Sequence, residues 1–272
     1  MTCLLQISDP HFGTEQPQVM QALLELSRQH CPDILVLSGD ITQRARLSQF
    51  QRASEFCQRL GIAHRLSLPG NHDIPLFNPF QRFFSPYANY LRFFGPDLQP
   101  LASTPSVIVI GVKTTRRWRH KNGEVSGAQI DGVARQLSGA GPEKLKVVVV
   151  HQPVYVQRPE DEHDRLRNWE PAVRAWARAG ADIVMGGHIH LPYVRDLSEA
   201  VPDLGRRMWC VQAGTALSSR VRHEAPNSVN ILRYEADLRL PACQFERWDF
   251  EAASRQFKRV TAASLMLDRT TQ

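Results

Sequence analysis

Seven side chains of the kind that hold metal ions each follow directly on a run of apolar residues. LLQIS leads into Asp9-Pro10-His11, DILVLS into Gly39-Asp40, and RLSLP into Gly70-Asn71-His72-Asp73; VVVV leads into His151, and DIVMG into Gly187-His188-Ile189-His190. Each fragment has an ordinary reading by itself. Asp9-x-His11 suits a turn, Gly39-Asp40 a helix N-cap, and His151 a hydrogen-bonded core histidine. His188-x-His190 divides evenly between metal ligation and structure. In LPGNHDIP a turn accounts for Gly70 and Asn71, which tolerate positive φ, but not for His72. Five such endings in succession are not independent accidents. The carboxyl edge of an α/β sheet is where ligands collect, because the loops converge there.

The donor set narrows the chemistry. Asp9, Asp40, the Asn71 carbonyl, His11, His151, His188 and His190 offer oxygen and nitrogen but no thiolate. Such a mixture suits Mn, Fe, Zn, Co or Ni rather than Ca, Mg or copper(I). Seven donors exceed one ion and fit two if one carboxylate bridges. Two ions ~3.5–4 Å apart serve phosphoryl hydrolysis, since they lower the pKa of a shared water from 15.7 toward ~7 and clamp the phosphoryl oxygens. A histidine with an ordinary pKa near 6.5 can then protonate a leaving oxygen.

The elements that must position these groups follow from hydrophobic periodicity. Strands are expected over 2–8, 33–40, 63–70, 105–112, 144–151 and 181–188, and helices over 18–30, 47–61, 127–138 and 170–180. The aromatic, Pro-interrupted segment 77–95 reads as short helices forming a local mini-core, with an aromatic lid or dimer face as the other reading. After His190 the helical pattern stops, and RMWCVQAG, SVNILRYE, ACQFERWDF and SRQFKRVTAA read as meander strands. The expectation is an α/β fold of two packed mixed sheets with helices outside. One domain spans 1–272, and the strands from about 192 onward complete the second sheet.

The bulk numbers exclude several classes. With 272 residues, 42% hydrophobic and 22% charged, the chain is long enough for a sizeable core and has ordinary globular composition. No apolar run approaches the ~20 residues of a membrane span. MTCLLQISDP has neither a basic n-region nor a cleavage site, so no signal peptide is expected and a cytoplasmic location is. The five cysteines lack zinc-finger or CxxC spacing and read as reduced, buried thiols. Net charge is +6, carried by 33 basic residues of which only five are Lys. That Arg excess is weak evidence for an anionic partner.

The five endings together resemble the motifs of the calcineurin-like metallophosphoesterase superfamily. Within it, SDPHFG, SGDIT, PGNHD, HQP and GGHIH most resemble the bacterial class III cyclic-nucleotide phosphodiesterase group. The resemblance spans residues 9–190 and implies a four-layer α-β-β-α sandwich. It also implies one metal held by Asp9, His11, Asp40 and His190, and a second held by Asp40, Asn71, His151 and His188, with Asp40 bridging. Mn and/or Fe are the implied ions. His72 would then face the substrate, Gly70 would let the backbone bend, and Asp73 would orient His72 or its loop. The implied activity is hydrolysis of a small phosphodiester by a metal-bound hydroxide, cyclic nucleotides leading.

Other features are softer. TTRRWRHKNG (114–123) gathers Arg116, Arg117, Arg119, His120 and Lys121 around Trp118, as a substrate-binding loop or a solvated basic one. Arg116 and Arg117 are the expected substrate contacts. A nuclease or end-processing enzyme is the first alternative, with a monoester phosphatase less favoured and a non-catalytic scaffold last. GDITQRA stands where the family's protein phosphatases carry GDxxDRG. The loop 158–169 lies between two ligand motifs and reads as solvated, with a place at the pocket's border as the other reading, and His30, His64, His120, His163 and His223 are not assigned to metal.

Overall fold

The computed structural model describes residues 1–222, 225–236 and 242–269; His223 lies outside them. Twelve strands form two six-stranded sheets. In chain order the elements are β1 (Thr2–Ile7), α1 (Pro17–His30), β2 (Ile34–Leu37), α2 (Leu47–Leu60), β3 (His64–Ser67), α3 (Pro79–Phe84) and α4 (Ala88–Phe94). Then follow β4 (Leu101–Ser103), β5 (Val107–Gly111), α5 (Gly127–Gly139), β6 (Leu145–Val149), α6 (Trp169–Arg178) and β7 (Ile183–Gly186). The chain closes with β8 (Tyr193–Asp196), β9 (Trp209–Gln212), β10 (Ser228–Tyr234), β11 (Ala242–Glu251) and β12 (Gln256–Met266).

The first sheet runs β12-β11-β10-β1-β2-β3 and the second β4-β5-β6-β7-β9-β8. Three apolar layers make the sandwich. Leu23, Leu26, Phe50 and Phe56 of α1 and α2 pack on Leu5 and Leu35 of the first sheet. Val36 and Leu66 meet Val109, Val147 and Met185 between the sheets. Leu137 and Trp176 of α5 and α6 cover Ile110, Val148 and Val184 on the outer face of the second. This is the expected α-β-β-α order. The parallel strands β2 and β6 are buried at every position, which is why they read as continuous apolar runs.

The C-terminal strands divide rather than complete one sheet. β8 and β9 join the second, but β10, β11 and β12 form an antiparallel meander on the first, with β10 beside β1. Strand β9 is no part of that meander, because it runs parallel to β7. Alternating apolar residues show that a strand has a buried face, not which sheet owns it. Segment 77–95 also splits. In α4, Tyr90 is fully buried and Phe93 and Phe94 pack against the first core, whereas α3 buries nothing and Phe77, Phe80 and Phe84 stand at least 74% exposed. Four cysteines are buried, while Cys31, at the left-handed end of α1, is exposed.

Candidate metal centre

The ends of β1, β2 and β3 in one sheet meet the ends of β6 and β7 in the other, and the seven sequence-derived donors fall on the loops between them. Buried polar contacts tie the two edges together. Gln6 Nε2 donates to the Gly186 carbonyl at 3.0 Å, and His151 Nδ1 to the Ser38 carbonyl at 2.8 Å. With Nδ1 committed, His151 turns Nε2 inward.

Five of the donors sit in the left-handed backbone region: Asp9 (φ 49°), His11 (42°), Asp40 (48°), His188 (74°) and His190 (57°). Non-glycine residues are costly there, and the conformations persist only where surroundings over-determine them. Asp9 N donates to Gly39 O and His11 N to Asp40 O, each at 3.1 Å, so the first two loops hold each other. Asp73 holds the second loop to the third. Its carboxylate accepts from Ile41 N (2.9 Å), Thr42 N (2.7 Å), Thr42 Oγ1 (2.8 Å) and Gly70 N (2.9 Å). Burial, and then the Asp40 carboxylate, push the Asp73 carboxyl up, and these four donors work in the opposite direction.

Of the roles expected for Asp73, the structure therefore shows the loop clamp and no contact with the His72 ring. Gly70 also differs from expectation. Its backbone is ordinary (φ −89°), and glycine is needed because a Cβ would strike Asp40 N and Oδ1. Asp73→Ala would strand three buried N–H groups at about 1–3 kcal/mol each, so a loss of roughly 3–5 kcal/mol and about 10 °C in Tm is expected by calorimetry. Thr42→Ala, which removes one donor and no acceptor of these N–H groups, should lose much less.

The donors converge in overlapping groups. Asp9, His11 and His190 form one, His11, Asp40 and His72 a second, and Asp40, His151 and His188 a third, each with its donor atoms within 4.8 Å of one another. Asn71 Oδ1 lies 3.3 Å from His151 Nε2, and Asp40 Oδ1 3.2 Å from the same nitrogen. His11 Nε2 and His190 Nε2 stand 3.2 Å apart, with Asp9 Oδ1 3.3 Å from His190 Nε2. Asp9 Oδ1 is buried without a hydrogen bond, and so is His188 Nδ1. Buried oxygen and nitrogen atoms that face one another, some with no hydrogen bond of their own, fit a cation.

Charge follows the same logic. Burial opposes the charged forms of Asp9 and Asp40, but the facing imidazoles outweigh it and hold both carboxyls below the usual range. Burial lowers His11 to about 3. At His151 burial is outweighed by Asp40, and the ring is raised from 6.5 to about 9. A raised histidine stabilises the metal-free fold fully below about pH 6.5, and that contribution is lost as pH rises through about 9. Ligation needs the neutral ring, so metal uptake must expel this proton. The rise in Tm on adding Mn to chelator-treated protein is expected to grow from pH 6.5 to pH 9. A rise independent of pH would contradict this.

His72 lies beside the donors, its ring 4.9 Å from that of His11, and also reaches beyond them. Its N–H donates to Asp40 Oδ1 at 2.8 Å, its Nδ1 faces the Gln43 carbonyl at 3.0 Å, and its Nε2 faces Arg220 Nη1 at 3.2 Å. Both ring nitrogens thus turn to Gln43 and Arg220. His72 lines a cavity of about 250 Å³ with Asn71, Gln43, Arg44, Arg82, His120, Lys121 and Arg220. Arg116 and Arg117, the expected substrate contacts, are not in that wall. Arg116 is spent on the Lys113 and Thr115 carbonyls and Gln129, Arg117 on the Phe83 carbonyl, and Arg119 on Glu124.

One neighbour of the site, Arg220, escaped the sequence reading, and another, Asp164, lies on the loop read first as solvated. Arg220 follows β9, whose parallel alignment with β7 brings its loop to the same edge; once β9 is taken for a meander strand that signal is lost. Asp164 comes from the loop 158–169 and puts Oδ1 3.4 Å from His188 Nε2, so that loop borders the site.

The family pattern of calcineurin-like phosphoesterases matches residues 4–192. The chain belongs to that family. No curated protein matches it in sequence. Among solved structures it is similar to purple acid phosphatase PPD1 from yellow lupin seeds, at TM-score 0.66 and 14% identity over 98% of this chain, although it spans only 54% of the lupin protein. A dimetal phosphatase from Danio rerio matches at TM-score 0.64 and 13% identity, covering 98% of this chain and 99% of that one. Vacuolar Protein Sorting 29 from Cryptosporidium parvum matches at TM-score 0.52 and 12% identity, covering 97% and 98%. At these identities the likeness shows the fold. Among the described residues no helix is long and apolar enough to cross a membrane.

Proposed function

We propose that this calcineurin-like phosphoesterase is a dinuclear-metal phosphodiesterase for small substrates, with cyclic nucleotides, on the subgroup resemblance, the first class to test. The observation that carries the reading is the shared carboxylate: Asp40 turns Oδ1 toward His151 (3.2 Å) and Oδ2 toward His11 (3.8 Å), and His72 leads from it into a cationic cavity. Asp9, His11, Asp40 and His190 would hold one ion, and Asp40, Asn71, His151 and His188 the other. Bound ions supply an activated water and neutralise phosphoryl charge.

The chain's own residues do the rest. The Gln43 carbonyl accepts from His72 Nδ1 and fixes the ring plane, which leaves Nε2 at the cavity wall. In this arrangement Nε2 accepts from Arg220; as the imidazolium, with that contact released, Nε2 would deliver a proton to the departing oxygen and free Arg220 to meet charge that develops there. Asp73 keeps the Asp40 and Asn71 loops in register, so its action on the reaction is through position.

The nuclease alternative loses its footing, because Arg116, Arg117 and Arg119 are taken up by Gln129, the Phe83 carbonyl and Glu124 and do not line the cavity. Single-stranded oligonucleotide binding is expected to be weak and unchanged by Trp118→Ala; tight, steeply salt-dependent binding that follows this loop would restore it. Two fold neighbours that are phosphatases keep monoesters as the second reading. A panel with Mn decides: bis-aryl phosphate and 2′,3′- or 3′,5′-cyclic nucleotides should outpace the aryl monoester. A strong monoester preference with no cyclic-nucleotide turnover would make the enzyme a phosphatase.

A further inference from the structure

We infer that the preferred substrate carries a second phosphoryl group on its leaving arm, held in the cavity beyond His72 by Arg44, Arg82, Lys121 and Arg220. The inference rests on the phosphodiesterase reading and ranks such compounds above plain cyclic mononucleotides.

The cavity wall contains these four cations and His120 but no carboxylate. Among the described residues none of the four has a carboxylate within ion-pair distance, whereas Arg116, Arg119, Arg165 and Arg174 nearby or on the surface each do. Arg82 donates to the Pro75 and Arg119 carbonyls, and Arg220 to Gln43 Oε1 and His72 Nε2, so neutral acceptors orient these guanidinium groups without cancelling their charge. Burial, and then Arg82, lower the His120 ring, as expected where positive charge is crowded. A concave surface of one sign focuses its field and raises the local concentration of opposite charge. One scissile phosphodiester brings a single negative charge, and the metal centre already meets it. Four further cations match a phosphate beyond it.

Arg220 adjoins His72 Nε2, so the arm enters the cavity from the side where the leaving oxygen departs. The hydrolysis itself is unchanged. Water's oxygen bonds to the attacked phosphorus, the bond to the leaving oxygen breaks with its electron pair on that oxygen, and water's protons pass to the leaving oxygen and to solvent. The products are a phosphomonoester and an alcohol that still carries the second phosphate.

Two measurements on the full chain test this. With chelator present, inorganic pyrophosphate should bind at least ~10-fold tighter than orthophosphate by titration calorimetry, and Arg44→Gln or Lys121→Gln, both at exposed positions, should each weaken it by ~10-fold. With Mn, one of the dinucleotides pTpT and TpTp should be cleaved with a higher kcat/KM than TpT, and the same substitutions should reduce that substrate at least ~10-fold more than TpT. Equal binding of the two anions, indifference to both substitutions, or equal cleavage of all three dinucleotides would overturn the inference while leaving the diesterase intact. Pyrophosphate binding as described with no diester cleaved would uphold the anion site and overturn the diesterase reading.

Discussion

Asp40→Asn is expected to release both metal ions and abolish turnover, a larger loss than any other single donor replacement gives. Asp40 is 2% exposed and points Oδ1 at His151 (3.2 Å) and Oδ2 at His11 (3.8 Å), one oxygen toward each half of the centre. An amide keeps the volume but puts an NH2 donor where one oxygen stood and removes the negative charge from a fully enclosed position. Changing an outer partner of a metal ligand typically weakens binding by ~10–100-fold, and removing a shared ligand should exceed that. Asn71→Ala should weaken mainly one site. Metal analysis of purified variants separates these outcomes; two tightly held ions and near-normal turnover in Asp40→Asn would refute the shared carboxylate.

His72→Ala should do the reverse: both ions stay and chemistry fails. The ring nitrogens face the Gln43 carbonyl and Arg220, while its edge packs on the His11 ring at 4.9 Å. A lost general acid lowers kcat by ~10²–10⁴. The deficit should shrink for aryl leaving groups, which depart with less protonation, so the ratio of wild-type to variant kcat should fall as the leaving-group pKa falls. Loss of one ion from His72→Ala would make His72 a ligand.

What the sequence disclosed and what it hid have a common physical cause. Buried parallel strands are near-continuous apolar runs, so β1, β2, β6 and β7 and the donors at their ends could be read directly. Helix ends were marked as well: Gly61 closes α2 at φ 69°, and Ser126 caps α5 by accepting from Gln129 N. Sheet membership was not legible, because a strand's partner is settled by packing far away in sequence. That hid the division of the C-terminal strands, and with it the route by which Arg220 reaches His72.

The basic loop was legible only in part, for a related reason: its His120 and Lys121 line the cavity and its arginines do not. Charge density in a sequence does not show which charges are already spent. The Arg116 and Arg119 guanidiniums serve internal carbonyls and Glu124, while the less conspicuous Arg44 and Arg82, from segments with no basic cluster of their own, line the cavity. His72 and Asp73 adjoin in sequence but point to different tasks, one at the cavity and the other into the loops. Three consecutive residues in one short helical turn necessarily face different ways.

The central claim is that two ions share Asp40 and that both are needed for hydrolysis. Stepwise addition of Mn to chelator-treated protein, followed by hydrolysis of bis(p-nitrophenyl) phosphate, tests it most directly. The structure predicts no turnover without metal and a maximum reached at two equivalents per chain. A maximum at one equivalent, or turnover untouched by the chelator, would contradict it.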